Sequence, residues 1–137
     1  MGYDDTIKSA IKTDPPRLGL EDNLRTAIEK VSCKDCSGAI VEANGEMIGI
    51  VSEMDLMQAV SSNRDLDDTK VADIMTTCEL IRDKLQKTPC VQLDEDQSVF
   101  SGLKVMTEAG VHNLLVSGAG DKVIGLASAS DLLKKLL

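Results

Sequence analysis

The stretch Gly49-Ile50-Val51-Ser52-Glu53-Met54-Asp55 recurs near the end of the chain as Gly125-Leu126-Ala127-Ser128-Ala129-Ser130-Asp131. Both copies have glycine first, an apolar residue second, serine fourth and aspartate seventh. Each copy follows an apolar run and leads into further apolar residues, an order typical of a strand that ends where a helix begins. The stretch therefore indicates two copies of one strand-to-helix unit.

The duplication extends outward from this stretch to an earlier helix. Four apolar positions at the spacing i, i+3, i+4, i+7 recur 75 residues later, which predicts two equivalent amphipathic helices. Polar residues that can cap a helix precede each set, Asp22 and Asn23 in one copy and Gln97 and Ser98 in the other. The repeated positions are Leu24, Ala27, Ile28 and Val31, then Val99, Gly102, Leu103 and Met106.

A hairpin follows each predicted helix. The short apolar runs 39–41 and 114–116 are typical of buried strands. The turn at 43–46 contains Asn44 and Gly45, which accept the positive φ of tight hairpins, and the second turn, at 118–121, is followed by one extra residue before its returning strand. The returning strands are predicted at 47–51 and 123–127, and each leads into a final helix near Asp55 or Asp131.

Similar apolar connectors, at 7–11 and 71–75, precede the two copies. The polar run 61–69 indicates a link between them, and the spacing of Cys78, Ile81 and Leu85 predicts an extra helical turn or two within 77–87. We therefore predict an α+β fold, α/β-like in its element order, built from two β-α-β-β-α repeats. Its divisions are 1–62 (connector and first repeat), 63–87 (linker and connector helix) and 88–137 (second repeat).

Composition narrows the class of function. The 137 residues suit one domain or two small units that share a core. A net charge of -8, with Tyr3 and Phe100 as the sole aromatic residues, argues against nucleic-acid and anionic-membrane binding. The sequence lacks an apolar leader at its start and a run of roughly 20 apolar residues, so we expect a cytoplasmic protein. Four cysteines are too few for a disulfide scaffold.

The serine and aspartate of the repeated stretch allow two interpretations. Serine followed three residues later by an acidic side chain is a common helix cap, which alone explains both copies. A functional interpretation uses the same geometry, because helix N-termini attract anions and a carboxylate can accept hydrogen bonds from ribose hydroxyls. Both interpretations stay open for Ser52 with Asp55 and for Ser128 with Asp131.

The repeated stretch, the element order and the run 109–116 (A-G-V-H-N-L-L-V) resemble CBS domains, the cystathionine-β-synthase type of ligand-sensing repeat, over about residues 7–137. The resemblance implies two repeats packed with pseudo-two-fold symmetry and two clefts that can each bind an adenosine-type ligand. It implies ribose binding by the aspartates, and phosphate or ribose binding by the serines. The connectors and first strands would receive the base. The residues so implied are Ser52, Asp55, Ser128, Asp131, Asp14, Pro16, Thr88 and Pro89.

His112 and Asn113 lie where nucleotide-binding members carry cationic side chains that face phosphates. The first copy has Ser37 and Gly38 there, which supply no cation, so the chain departs from the pattern of multi-phosphate binders. AMP, ADP or ATP and S-adenosylmethionine all remain candidate ligands, and no obligatory cofactor or bound metal is expected. The family also implies a homodimer, for which the apolar ends of the final helix (Leu132, Leu133, Leu136 and Leu137) offer a contact, and an effector protein in trans.

Two other classes of function remain as alternatives. Cys33 and Cys36 form a C-x-x-C pair, a spacing used by metal and redox sites. A module that only dimerises, with empty clefts, is the other alternative. Nucleophile, phosphate-loop and zinc-protease motifs are missing from the sequence, so we predict that the chain is not an enzyme.

Overall fold

The computed structural model describes residues 4–11, 15–32, 38–77, 92–119 and 123–137. These residues form two compact units. The first-repeat unit is drawn from residues 15–86, and the second-repeat unit is drawn from residues 1–14 and 87–137. Each unit has its own sheet, helices and apolar core.

The first-repeat unit contains a four-stranded sheet in the order β1-β2-β3-β4. β1 is parallel to β2, and the other neighbours are antiparallel. The predicted tight turn joins β2 to β3, with φ of 53° at Asn44 and 77° at Gly45. The elements are β1 (Arg17–Gly19), α1 (Leu24–Val31), β2 (Gly38–Ala43), β3 (Glu46–Ser52), α2 (Glu53–Ser61), α3 (Val71–Ile74) and β4 (Thr76–Thr77).

The second-repeat unit has a three-stranded sheet in the order β5-β6-β7, with β5 parallel to β6 and β6 antiparallel to β7. A left-handed Gly110 (φ 70°) ends α4, as is common at helix C-termini. The elements are a 3₁₀ helix (Ile7–Ala10), β5 (Gln92–Asp94), α4 (Val99–Ala109), β6 (Asn113–Ser117), β7 (Val123–Ser128) and α5 (Ala129–Lys134). The α+β class and the twofold β-α-β-β-α order are thereby confirmed.

The helix caps fall where the sequence places them. Asn23 accepts a hydrogen bond from the Thr26 amide at 2.9 Å, and Ser98 accepts one from the Ser101 amide at 3.1 Å. The predicted apolar stripes face the two cores, since six of their eight residues are buried and two are half-buried. The buried members are Leu24, Ala27, Val31, Val99, Gly102 and Met106.

Each connector packs in the unit of the repeat that it does not directly precede. The Val71 amide donates to the Asp22 carbonyl, and the Leu24 amide donates to the Thr69 carbonyl, both at 2.8 Å. Val71 and Ile7 are both fully buried. Each connector therefore completes the apolar core of the unit in which it packs.

The second-repeat unit repeats this exchange. The Ile7 amide donates to the Gln97 carbonyl and the Val99 amide donates to the Asp5 carbonyl, again at 2.8 Å. Each of these residues has an equivalent in the first-repeat unit. The residues at the helix start lie 75 positions after their equivalents, and the connector residues lie 64 positions before theirs. The contacts thus group 4–11 with the second repeat and 65–77 with the first, whereas the boundaries 1–62, 63–87 and 88–137 follow order along the chain and stay a prediction.

An exposed ion pair also joins the polar run 61–69 to helix α1. The Arg25 guanidinium donates to both carboxylate oxygens of Asp67, at 2.8 and 3.2 Å. This hydrogen bonding lowers the pKa of Asp67 and raises the pKa of Arg25. The helical turn predicted within 77–87 lies outside the described residues, apart from Thr77 at the end of β4.

Candidate functional site

Ser52 and Asp55 form a complete capping box at the start of α2. The Ser52 hydroxyl accepts from the Asp55 amide at 3.3 Å, and Asp55 Oδ2 accepts from the Ser52 amide at 2.8 Å. The Ser52 hydroxyl also lies 3.1 Å from Asp55 Oδ2 and can donate to it. Asp55 is half-buried, so its carboxylate is held in place while part of it stays open to solvent.

Thr76 is a further contact of Asp55 that the sequence reasoning missed. Its hydroxyl lies 3.0 Å from Asp55 Oδ1 and 3.3 Å from Oδ2, so it donates to the carboxylate from β4. The signal available in the sequence was a hydroxyl residue directly after the connector 71–75. That signal does not identify the partner, because the two residues are 21 positions apart and meet only through the sheet.

Gly49, the first residue of the repeated stretch, permits this approach of β4. A Cβ atom at position 49 would lie 2.5 Å from the Thr76 carbonyl oxygen, closer than such atoms are found. The glycine therefore lets β4 pair tightly with β3 through Gly49–Thr77 and Ile50–Thr76. It acts in the site by placing Thr76.

Ser128 and Asp131 form the equivalent capping box at the start of α5. The Asp131 amide donates to the Ser128 hydroxyl at 3.0 Å, and Asp131 Oδ2 accepts from the Ser128 amide at 3.1 Å. Ser128 is buried and Asp131 is half-buried. The residues equivalent to Thr76 and Thr77 in this unit, 12 and 13 at the 64-residue offset of the connectors, lie outside the described residues.

His112 and Asn113 lie beside this second capping box. Asn113 pairs with Ser128 across β6 and β7, and the His112 carbonyl accepts from the Ala129 amide at 2.8 Å. Asn113 is buried and His112 is exposed. Four predicted site residues, His112, Asn113, Ser128 and Asp131, thus meet at one end of the second sheet.

Pro16 lies at the corresponding end of the first sheet. Its carbonyl accepts from the Ile40 amide at 2.9 Å, just before β1 pairs with β2. Ser52 lies at the same end, because it pairs with Gly38 at the start of β2. The remaining predicted base-binding residues, Asp14, Thr88 and Pro89, lie outside the described residues.

Both carboxylates can accept hydrogen bonds from hydroxyl groups of a small molecule. Each lies at a helix N-terminus, where free amides favour anions, and each is anchored by its own capping box. Among the residues described, no group of three or more His, Cys, Asp or Glu side chains could hold a metal ion. Cys33 and Cys36 lie outside the described residues, as do Cys78 and Cys90, so the metal or redox interpretation stays untested.

A separate apolar groove of about 590 Å³ runs between α1 and α2, and its lining does not include Ser52 or Asp55. Met57 and Val60 on its edge are about half exposed. At the other end of the chain, Leu133 and Leu137 are exposed, but Leu132 is fully buried in the second core. The expectation that Leu132 offers a dimer contact is therefore wrong, because this side chain faces α4 and the N-terminal connector.

No helix among the described residues is both long and apolar enough to cross a membrane.

Solved structures resemble the fold over nearly the whole chain. A CBS-domain protein from Burkholderia ambifaria is 26% identical, with a TM-score of 0.78 over 96% of this chain and 93% of that one. A CBS domain protein from Pyrobaculum aerophilum, complexed with AMP, is 17% identical, with a TM-score of 0.73 over 92% and 88%. The CBS domain pair of protein MJ0100, complexed with 5′-methylthioadenosine and S-adenosyl-L-methionine, is 15% identical, with a TM-score of 0.76 over 96% and 99%.

Curated sequences and family models agree with these likenesses. An uncharacterized protein of Methanopyrus kandleri is 29% identical over 99 residues, which cover 72% of this chain and 45% of that protein. The chain spans less than half of the length of the curated relatives it matches. The model of the CBS domain matches residues 7–62 and 71–137, one match for each repeat. The chain belongs to the CBS domain family.

Proposed function

We propose that this chain is a regulatory, non-catalytic sensor that binds an adenosine-containing small molecule through its two repeats. The candidate ligands are AMP, ADP, ATP and S-adenosylmethionine. Binding would change the packing of the repeats or of a homodimer, and a partner protein would respond to that change. The cytoplasm, where such ligands are abundant, is the proposed compartment.

One observation carries the proposal, namely the arrangement around Asp131. Its carboxylate is half-buried at the start of α5 and fixed by the Ser128 amide, and an exposed His112 lies at the same end of the sheet. A carboxylate has about four acceptor positions, and one is used here by a described donor. Such a carboxylate can accept the two neighbouring hydroxyls of a ribose in charge-assisted bonds of about 1.5–3 kcal/mol each.

The solved neighbours support the ligand class. One is complexed with AMP and another with 5′-methylthioadenosine and S-adenosyl-L-methionine. These three molecules share the adenosine group and its ribose and differ at the 5′ position. A site that holds ribose by a carboxylate is compatible with each of them.

The charge of the chain helps to indicate which 5′ group its adenosine-type ligand would carry. The second repeat supplies the imidazole of His112, which can donate a hydrogen bond to phosphate, while the first repeat has Ser37 and Gly38 at the two equivalent positions. A net charge of -8 favours a cationic sulfonium over several phosphates. AMP and S-adenosylmethionine are therefore the two probes to compare first.

We also propose that the module acts as a homodimer. The groove between α1 and α2 is lined mainly by apolar side chains, and Met54, Met57 and Val60 on α2 are each about half exposed. Exposed apolar groups of this kind favour burial against another protein surface. Sedimentation velocity of the wild type and of Met57→Glu tests this point, since a charge in the groove should yield monomers.

A thermal-unfolding screen tests the sensor proposal. The panel contains AMP, ADP, ATP, S-adenosylmethionine, NADH and zinc, and an external dye reports unfolding because the chain has no Trp. A ligand at 100 times its Kd adds about 2.7 kcal/mol, which raises Tm on the order of 10 °C for a chain of this size. A shift with zinc alone would instead point to the cysteines.

Two variants separate binding from helix capping. Asp131→Asn keeps the shape of the side chain but removes its charge, so the ligand-induced shift should fall sharply. Asp68→Asn is the matched control, because Asp68 is an exposed aspartate remote from both capping boxes in the sequence. If Asp131→Asn lowers the basal Tm but leaves the ligand-induced shift unchanged, the aspartate is a helix cap and the proposal is wrong.

A further inference from the structure

We infer that Met57 is an oxidation site, and that its conversion to methionine sulfoxide by a peroxide separates the two copies of the homodimer. This inference rests on the proposed function, because it assigns a redox control to the groove between α1 and α2 through which the chain is proposed to dimerise. The group that is oxidised is a thioether of α2 and not a cysteine thiol.

The described methionines differ widely in their access to solvent. Met57 and Met54 on α2 are 56% and 49% exposed, whereas Met106 in the second core is 4% exposed. Met47 and Met75 lie between these extremes, since both are half-buried. Because the oxidation of a sulfur-containing side chain follows its exposure, a peroxide should reach Met57 and Met54 first.

Position in the groove distinguishes Met57 from Met54. Met57 lines the groove of about 590 Å³ together with Leu56 and Val60 of the same helix, whereas Met54 lies outside its lining. Leu56 is buried in the first core, and Val60 is about half exposed. A polar group introduced at Met57 therefore enters an apolar surface beside that core.

The chemistry needs one peroxide molecule for each methionine. The sulfur of Met57 attacks one oxygen of hydrogen peroxide, the O–O bond breaks and an S–O bond forms. Sulfur gives up two electrons, and the second peroxide oxygen leaves as water after it takes the proton of the first. The product is a neutral sulfoxide, which is polar where the thioether was apolar.

A sulfoxide in the groove opposes association. Burial of its oxygen costs free energy unless a donor is supplied. Ser61, one of the two hydroxyl residues of the lining, already donates to the Gln58 carbonyl at 3.2 Å. Because a two-fold interface contains each residue twice, the dimer Kd should rise on the order of 100-fold.

Peroxide treatment of the whole protein, followed by peptide mass spectrometry and sedimentation velocity, tests the inference. Hydrogen peroxide is added near the dimer Kd, where monomers that expose Met57 are present. Sulfoxide should form at Met57 and Met54 well before Met106, and the treated wild type should sediment as a monomer. Sedimentation is run in excess dithiothreitol, which reverses disulfides but not methionine sulfoxide.

Two variants locate the response. Met57→Leu keeps an apolar side chain of similar volume and should remain a dimer after peroxide treatment. Met54→Leu is the matched control, because Met54 has a similar exposure on the same helix but lies outside the groove lining. This control should dissociate as the wild type does. Methionine sulfoxide reductases, with a thiol as the reductant, should restore the wild-type dimer.

The outcomes distinguish this inference from the proposed homodimer. If the untreated wild type is a monomer at every concentration, the homodimer fails and the inference fails with it. If the untreated wild type is a dimer and peroxide leaves Met57 unmodified, or modifies it without dissociation, the homodimer stands and the inference is overturned. Dissociation that persists in Met57→Leu would assign the response to another group, such as a cysteine, and would overturn the inference as well.

Discussion

In the first-repeat unit, Asp55 is held by its capping serine and by a threonine from β4, whereas in the second-repeat unit the described residues hold Asp131 through its capping serine alone. The main-chain hydrogen bonds of the connectors do not differ between the two units. Both connectors donate and accept the same pair of 2.8 Å hydrogen bonds at equivalent residues. The duplicated chain thus keeps its main-chain geometry in both copies, and single side chains that are not repeated give each copy its own chemistry.

The largest expected effect tests whether the two connectors are equally important to their cores. Ile7→Ala removes three carbon atoms from a fully buried side chain and should lower the free energy of unfolding by about 2–5 kcal/mol. Val71→Ala removes two carbons at the equivalent position and should have a smaller effect. Urea denaturation followed by circular dichroism measures both.

Lys8→Ala is the control for the N-terminal connector, because Lys8 is exposed in the same 3₁₀ helix. Its effect should stay within about 0.5 kcal/mol. An Ile7 variant as mild as this control would mean that the N-terminal connector does not contribute to the second core.

The next effect tests the close contact found at Gly49. Gly49→Ala places a Cβ atom against the Thr76 carbonyl and should destabilise the protein by about 1–3 kcal/mol, because β4 must move. Gly19→Ala in β1 is the matched control, where the nearest atom lies 3.8 Å away. Comparable melting temperatures for the two variants would contradict a constrained β4.

A smaller effect compares the two capping serines. Ser52→Ala and Ser128→Ala should each lower the free energy of unfolding by about 0.5–2 kcal/mol. We expect the larger loss for Ser52, whose hydroxyl contacts both the amide and the carboxylate of Asp55. Thermal denaturation measures the difference, with Ser130→Ala, an exposed position in α5, as control. A larger loss for Ser128 would reverse the comparison.

The smallest effect concerns the ion pair of Arg25 with Asp67. Arg25 holds the folded-state pKa of Asp67 below its unfolded value of about 3.9. The stabilisation is therefore fully present above that value and is lost as the pH falls through the lower, folded pKa. Because the pair is exposed, the effect should be small and should shrink further in high salt.

Melting curves between pH 7 and pH 2 provide the measurement. Asp67→Asn should reduce the acid-dependent loss of stability relative to the wild type. Asp68→Asn removes a neighbouring carboxylate that has no described ion pair and serves as the control. Identical pH profiles for the wild type and Asp67→Asn would rule out a contribution of this pair to stability.

Much of the fold could be predicted because its signals are local. The stripe that begins at Leu24, the cap at Asn23 and the turn at Asn44–Gly45 each involve residues within one or two helical turns or one hairpin. The closeness of Asn113 to Ser128 follows from the same logic, because the hairpin register determines it. These parts of the candidate site were accessible from sequence.

Other features could not be predicted because they depend on contacts between distant segments. Thr76 reaches Asp55 only after β4 has paired with β3, and Ile7 joins the second core from the other end of the sequence. Leu132 was expected to offer a dimer contact at the apolar end of the final helix, yet it is fully buried in the second core. Periodicity indicates that a helix has an apolar face without stating which surface covers it.

The sequence by itself determined the duplication, the element order and the two serine–aspartate pairs that cap the final helices. These features arise from backbone preferences and from apolar periodicity, which are written in short stretches of sequence. Only the tertiary structure decided which core each connector completes and which donors surround each carboxylate. Those contacts bring together segments far apart in the chain, and their geometry exists only when the sheets and helices have packed.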